Sequence, residues 1–348
     1  MKKRILLILI AACTGFVISG HAQNTNDQKI VLITLDGYRW QELFTGADPL
    51  LIANKKYVSD TTSLKKEYWR TSPKERREAL MPFVWGKVAE MGQIHGNRKY
   101  GSKVNVTNGM WFSYPGYNEV LTGKPDDKNI DSNSKKYNPN VTILEKLNKS
   151  PKYSGKVAAF ASWDVFPYII NDKRSGVPVN AGFDTAKGDD LSETEKFINK
   201  IEFQTPSPFG MSARLDVFTD QLALEYMKRK HPDIIYIAND ETDDFAHQGN
   251  YTAYLDAARH ADAFFKELWE YTQNDPYYKG KTTFILTADH GRGAEPLDNW
   301  RDHGTEIKGA DQVWFIFYGN QIKSTGEVKT EEQLYSTQVV KEIESLLK

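Results

Sequence analysis

The sequence predicts an α/β fold, a doubly wound and mostly parallel sheet flanked by helices, with insertions on its rim. Three observations predict it. Five continuous apolar runs end in turn residues, the form of strands buried on both faces of a parallel sheet. Helical patterns lie between several of them. The chain has 348 residues and 40% hydrophobic content, enough to bury a large core, and a single Cys, so no disulfide framework is available.

The elements follow in chain order. KIVLITLDG (29–37) is the first strand, ending in Asp36 and Gly37. Residues 43 to 80 are polar and rich in Lys, Glu and Arg, a helical insertion with loops. KVAAFAS (156–162) is the next strand. Residues 124 to 145 and 171 to 210 carry many Asn, Asp, Lys, Gly, Pro and Ser, which places the stretch 124–210 largely on the rim, where selectivity usually sits. Arg214 to Lys230 has helical spacing, with Leu215, Phe218 and Leu222 on its apolar positions. DIIYIAND (233–240) is a strand, and Tyr251 to Thr272 a helix. TTFILTADHG (282–291) and DQVWFIFYG (311–319) are the last strands, and residues 331–347 read as a closing helix. No linker-like boundary divides residues 23–348, so one domain with insertions near 43–80 and 124–210 is expected.

Composition excludes several classes. Lys+Arg number 45 against 46 Asp+Glu, which leaves no bulk basic charge for a nucleic-acid scaffold. A mean hydropathy of −0.58 excludes a polytopic membrane protein. Residues 1–22 have the three parts of a secretory signal: Lys2, Lys3 and Arg4, then an apolar stretch from Ile5 to Ile18, then small residues before a cleavage point after Ala22. Ile10-Ala11-Ala12-Cys13 offers the alternative of a lipid anchor on Cys13. The expectation is an extracytoplasmic protein, periplasmic or secreted, without a transmembrane span once the signal is removed.

Several strands end in metal-ligating side chains. Asp36 ends the first, Asp289 and His290 follow the 282–291 run, and the 233–240 run leads into Asp243 and His247. Ligands of open parallel sheets bind beyond the carboxyl ends of the strands, so these residues can converge although far apart in sequence. Asp243 and His247 are four apart, on one face of a helical turn. His303 lies in NWRDHGTE (299–306) and, like His290, precedes a Gly. Imidazole and carboxylate together suit Zn²⁺, although such sets also admit other transition metals.

The set resembles the alkaline phosphatase superfamily, most closely its nucleotide pyrophosphatase/phosphodiesterase branch. FSYPGYNEVLTG (112–123) is similar to the family's nucleophile segment, with Ser113 in the nucleophile place and Thr122-Gly123 closing it. LDG matches the first metal Asp, NDETDDFAH the Asp and His of one metal, TADHG the Asp-His pair of the other, and the DHG at 302–304 the last His. The resemblance covers about residues 28–42, 81–123 and 230–320. It implies two divalent ions, most simply Zn²⁺: one on Asp243, His247 and His303, the other on Asp36, Asp289, His290 and the Ser113 oxygen. Such a pair would clamp the attacking and leaving oxygens of an in-line displacement. The implied activity is hydrolysis of a small-molecule phosphate ester, diester or monoester, through a phosphoseryl intermediate. Asn133, about twenty residues past Ser113, stands where the phosphodiesterases bind a phosphoryl oxygen. Arg292, beside Asp-His-Gly, is the alternative substrate-binding residue, and Trp163 and Asp164 are further candidates for the pocket wall.

The chain departs from the branch in having Ser where Thr is usual. Two rival readings share the fold. A sulfatase would need Arg where Tyr117 stands, and uses mostly oxygen ligands. A cofactor-independent phosphoglycerate mutase needs a larger inserted domain than the residues after Thr122 provide.

Overall fold

A computed structural model describes residues 27–348. The signal-like segment, Cys13 and the cleavage point after Ala22 lie outside the described residues. Eleven strands occur among the described residues: β1 (Lys29–Leu35), β2 (Gly92–His95), β3 (Ser102–Asn105), β4 (Val157–Ala161), β5 (Val179–Ala181), β6 (Ile234–Asn239), β7 (Thr282–Thr287), β8 (Gln312–Val313), β9 (Phe315–Gly319), β10 (Gly326–Glu327) and β11 (Glu332–Tyr335).

Eight of them form one mixed, mostly parallel sheet in the order β10-β2-β9-β7-β1-β6-β4-β5. β7, β1, β6, β4 and β5 run parallel, while β9 is antiparallel to both β7 and β2. β1, β4, β6 and β7 are buried along their whole length. That burial explains their unbroken apolar sequences, because a strand covered on both faces has no solvent side to make polar. In register, Ile30 lies opposite both Ile234 and Thr283, so β6, β1 and β7 end together.

The helices cover the faces as the apolar spacing predicts. Tyr251–Asn274 buries Tyr254, Leu255, Ala258, Phe265 and Leu268. Asp216–Lys230 buries Phe218, Leu222 and Met227. The 43–80 insertion contains Thr61–Tyr68 and Pro73–Leu80, each started by a side-chain cap: Asp60 accepts from Thr62 and Ser63 N–H, and Ser72 forms a capping box with Glu75. The stretch 124–210 holds short helices between loops and the edge strand β5.

Two expectations change. The run 311–319 divides into β8 and β9, because Trp314 turns its indole N–H onto the Tyr38 carbonyl at 2.9 Å. The tail is not one helix over 331–347: β11 comes first, then a helix over Gln338–Leu346. β11 is held by pairing with β3 in a second, three-stranded sheet, and Glu332 accepts a hydrogen bond from Ser102 at 2.6 Å. Tertiary pairing overrides the local helical pattern there.

Candidate metal centre

The shared ending of β6, β1 and β7 brings the candidate ligands together. Asp36 follows β1 directly. Its Oδ2 accepts a hydrogen bond from the Tyr117 hydroxyl at 2.8 Å, and its Oδ1 is buried with no hydrogen-bond donor. Asp289 and His290 follow β7. Asp289 Oδ1 accepts from Gly37 N–H at 3.1 Å, and its Oδ2 is likewise buried without a donor. His290 Nδ1 lies 2.8 Å from the Gly291 carbonyl and can only donate there. That places a proton on Nδ1 and turns Nε2 toward the carboxylates.

Nε2 faces three carboxylate oxygens. His290 Nε2 lies 3.1 Å from Asp36 Oδ1, 3.6 Å from Asp289 Oδ2 and 3.7 Å from Asp243 Oδ1. Such an arrangement, fully buried, calls for a cation in the middle. The ligand atoms form two groups, Asp36-Asp289-His290 and Asp243-His290-His303, each with its atoms within 4.8 Å of one another. His247 joins the second group: its Nε2 is 3.1 Å from Asp243 Oδ2 and 3.0 Å from His303 Nε2. His290 therefore stands between the groups, whereas the sequence assigned it to one metal. Gly37 makes room for this closeness. Its φ is 56°, and a Cβ there would lie 2.7 Å from Asp243 Oδ1.

Asp243 and His247 come from the helix Glu241–His247. Its start is locked reciprocally: Asp216 accepts from Asp240 and Glu241 N–H at 2.8 and 3.1 Å, and Glu241 accepts from Asp216 N–H at 3.0 Å. Thr242 ties the helix to β1 by donating to the Asp36 carbonyl at 2.6 Å.

Ser113 opens the helix Ser113–Thr122 and is 5% exposed. Its Oγ is 3.4 Å from His290 Nε2. The helix lies so close to β7 that a Cβ on Gly116 would come within 2.3 Å of the Asp289 carbonyl oxygen. Trp111, just before it, has φ 53°, a left-handed conformation costly for a bulky residue. The Trp111 carbonyl accepts from Gly304 N–H at 2.9 Å, so the nucleophile segment is tied to the residue beside His303.

The fields in the site have distinct causes. Burial raises the Asp36 carboxyl well above the usual range, and the Asp243 charge adds to the rise. Burial and the Asp36 charge do the same to Asp289. Burial pushes Asp243 upward too, but Arg292 foremost, with His247, outweighs it and holds Asp243 well below the usual range. Burial and then the His290 ring push His303 down to about 2. His303 is thus a neutral imidazole, the form that ligates metal.

The substrate-binding candidates separate. Asn133 Oδ1 accepts from Tyr114 N–H at 3.0 Å, capping the Ser113 helix, and Asn133 lines a cavity of about 180 Å³ with Ser113, Trp163, Asp240, Asp243 and Asp244. Arg292 points inward and is fully buried, but it is already engaged: Nη2 bonds the Asp243 carboxylate and carbonyl, and Nη1 the Arg301 carbonyl. Asp164 turns away from the cavity to Lys135, at 2.6 Å. A larger cavity of about 620 Å³ lies between the 216–230, 241–247 and 251–274 helices and contains none of the candidate ligands.

Sequence reasoning missed three features. Tyr117 lies one turn beyond Ser113 on the same helix, a spacing that could have marked it as reaching the site. Asp240 and Asp244 flank Asp243 in the segment already singled out, and only its ligand spacing was read. Gly116 carries no side chain to signal the close packing.

Comparison with known proteins gives the following. Residues 189–344 match the family model described as the Metalloenzyme superfamily. No curated protein sequence matches the chain. Among solved structures, the alkaline phosphatase PafA is similar with a TM-score of 0.59 at 12% identity, over 92% of this chain and 96% of that one. The lipoteichoic acid synthase LtaP from Listeria monocytogenes has a TM-score of 0.58 at 9% identity, over 93% and 73%. The phosphonate monoester hydrolase SpPMH from Silicibacter pomeroyi has a TM-score of 0.55 at 11% identity, over 92% and 73%.

Proposed function

We propose that this chain, which has the fold of the alkaline phosphatase superfamily and matches the Metalloenzyme superfamily over residues 189–344, is an extracytoplasmic two-zinc phosphodiesterase with Ser113 as its nucleophile. The observation that carries the reading is the convergence on His290 Nε2 of three carboxylates, with Ser113 Oγ 3.4 Å away.

Asp243, His247 and His303 would hold one ion, and Asp36, Asp289 and His290 the other. The donor-less oxygens Asp36 Oδ1 and Asp289 Oδ2 fit such an occupant. When bound, the ions supply Lewis-acid activation of the serine and charge stabilisation of the departing oxygen. The chain's own residues do the positioning. Ser113 Oγ bonds to phosphorus as the bond to the departing alcohol breaks, and the serine proton is balanced by the one the alkoxide takes up. Water then breaks the phosphoseryl bond, returning the serine hydroxyl and releasing the phosphate product. Asn133, held by its Oδ1 on Tyr114 N–H, presents its amide at the cavity beside Ser113.

Diesters fit better than monoesters. No Lys or Arg lines the cavity, and Arg292 is spent on Asp243. A monoester dianion would lack a protein cation, whereas a diester carries one charge fewer.

Turnover of bis-p-nitrophenyl phosphate, p-nitrophenyl phosphate and p-nitrophenyl sulfate by zinc-loaded protein tests this. The diester is expected to be cleaved fastest, and Ser113→Ala to lower that rate by at least about a thousandfold with zinc still bound. Cleavage of the sulfate alone, or near wild-type turnover by Ser113→Ala, would refute the reading.

A further inference from the structure

We propose that Glu119 and Asn108 are positioning residues for Ser113: together they hold the loop that leads into the nucleophile helix and so fix where the serine oxygen stands. This rests on the reading of Ser113 as nucleophile given above and adds two residues to it.

Glu119 lies further along the helix that Ser113 opens, and it is fully buried. A buried carboxylate needs a cation or hydrogen-bond donors. Glu119 has no ion-pair partner among the described residues. It takes its donors from the loop before the helix instead. Thr107 N–H reaches both of its oxygens at 2.8 Å. Oε2 also accepts from Asn108 N–H at 2.8 Å and from Asn108 Nδ2 at 2.9 Å.

Asn108, oriented by that bond and itself buried, passes the hold forward. Its Oδ1 accepts from Met110 N–H at 3.1 Å and from Trp111 N–H at 2.9 Å. Gly109 N–H, between them, donates to Asp127 at 2.7 Å. Every backbone N–H from Thr107 to Trp111 is therefore taken by a side-chain oxygen. The loop has no ladder of its own, so these side chains decide its path. The path ends at Trp111, whose φ of 53° a bulky residue disfavours. Asn108 braces that residue through its N–H, and Gly304 N–H braces it through its carbonyl at 2.9 Å. Ser113 follows at once, with Oγ 3.4 Å from His290 Nε2. A Trp111 released from its braces would carry Ser113 off that position. A misplacement of roughly 1 Å can cost about a hundredfold in rate.

The experiment compares zinc-loaded wild type with Asn108→Ala, Glu119→Ala and Glu119→Gln. It measures kcat and KM for bis-p-nitrophenyl phosphate, zinc content, and amide hydrogen exchange across residues 107–111. Both alanine variants are expected to lower kcat by about tenfold or more, with KM within about twofold and zinc content unchanged. Exchange across the loop should quicken by about tenfold or more in both. Glu119→Gln should recover most of the lost rate, because one amide oxygen can take the place of Oε2 and its three donors. Wild-type kcat in Asn108→Ala overturns the proposal. So does a raised KM at unchanged kcat, which would make the pair serve substrate binding, and so does a loss of zinc that matches the loss of rate. If Glu119→Ala does not fold, Asn108→Ala and Glu119→Gln carry the test. If wild type cleaves no phosphoester, exchange decides separately. Faster exchange confined to the loop in Asn108→Ala keeps the hold on Ser113 while the reaction reading falls; unchanged exchange removes the positioning role.

Discussion

At the scale of the residue, His290 is the pivot. Its Nε2 faces carboxylates of both ligand groups, so its removal should unsettle both proposed ions, whereas His247 touches only one group. Elemental analysis is expected to show His290→Ala losing more metal per chain than His247→Ala; equal losses would assign His290 to one ion only. Tyr117 acts one step further out. Its hydroxyl is the donor to Asp36 Oδ2, and removing a partner of a metal ligand typically lowers affinity by about 10–100-fold. Tyr117→Phe should therefore bind zinc more weakly in a competition titration while folding normally, and an unchanged affinity would make Tyr117 a packing residue alone. The ligands themselves were legible in the sequence, because Asp and His at strand ends are few and fall in order. The engagement of Arg292 by Asp243 was not, since it depends on contact between segments 49 residues apart.

At the scale of the element, the long buried strands β1, β4, β6 and β7 were plain from their apolar runs. The short strands β2, β5, β10 and β11 were not, because two to four residues show no usable period and depend on what pairs with them. One helix contact has a measurable consequence. Asp262, on the Tyr251–Asn274 helix, accepts from Phe83 and Val84 N–H at 2.8 Å each and so anchors the segment after the polar insertion. Burial raises its carboxyl to about 6 despite those bonds. A carboxyl raised on folding favours the native state below its unfolded value near 3.8, and that contribution is lost as pH climbs through about 6. Relative to Asp262→Asn, the wild type should lose up to about 3 kcal/mol between pH 4 and pH 6 in urea denaturation. A difference that stays flat across that range would show that the native carboxyl titrates normally.

At the scale of the whole molecule, the metal centre and the fold are one problem. Asp36, Asp289 and Asp243 meet in the interior at the end of three neighbouring strands, and ions binding there stabilise the native state by mass action. Chelation should lower Tm by about 5 °C or more, reversibly on adding zinc, and an unmoved Tm would mean that the ligands rest without ions. No helix among the described residues is long and apolar enough to cross a membrane. The central place of β1 bears on biosynthesis. The first strand of the sheet stands between β7 and β6, the strand opposite Ile30 being formed by Ile234 on one side and Thr283 on the other. While the polypeptide is being made or passed through a pore, Asp36 thus emerges early and waits for partners that arrive near the end. Ribosome-bound fragments stopping before residue 282 lack β7, Asp289, His290 and His303, and cannot complete either ligand group. On the proposed reading, metal loading would follow the arrival of β7 and take place in whatever compartment the finished chain reaches.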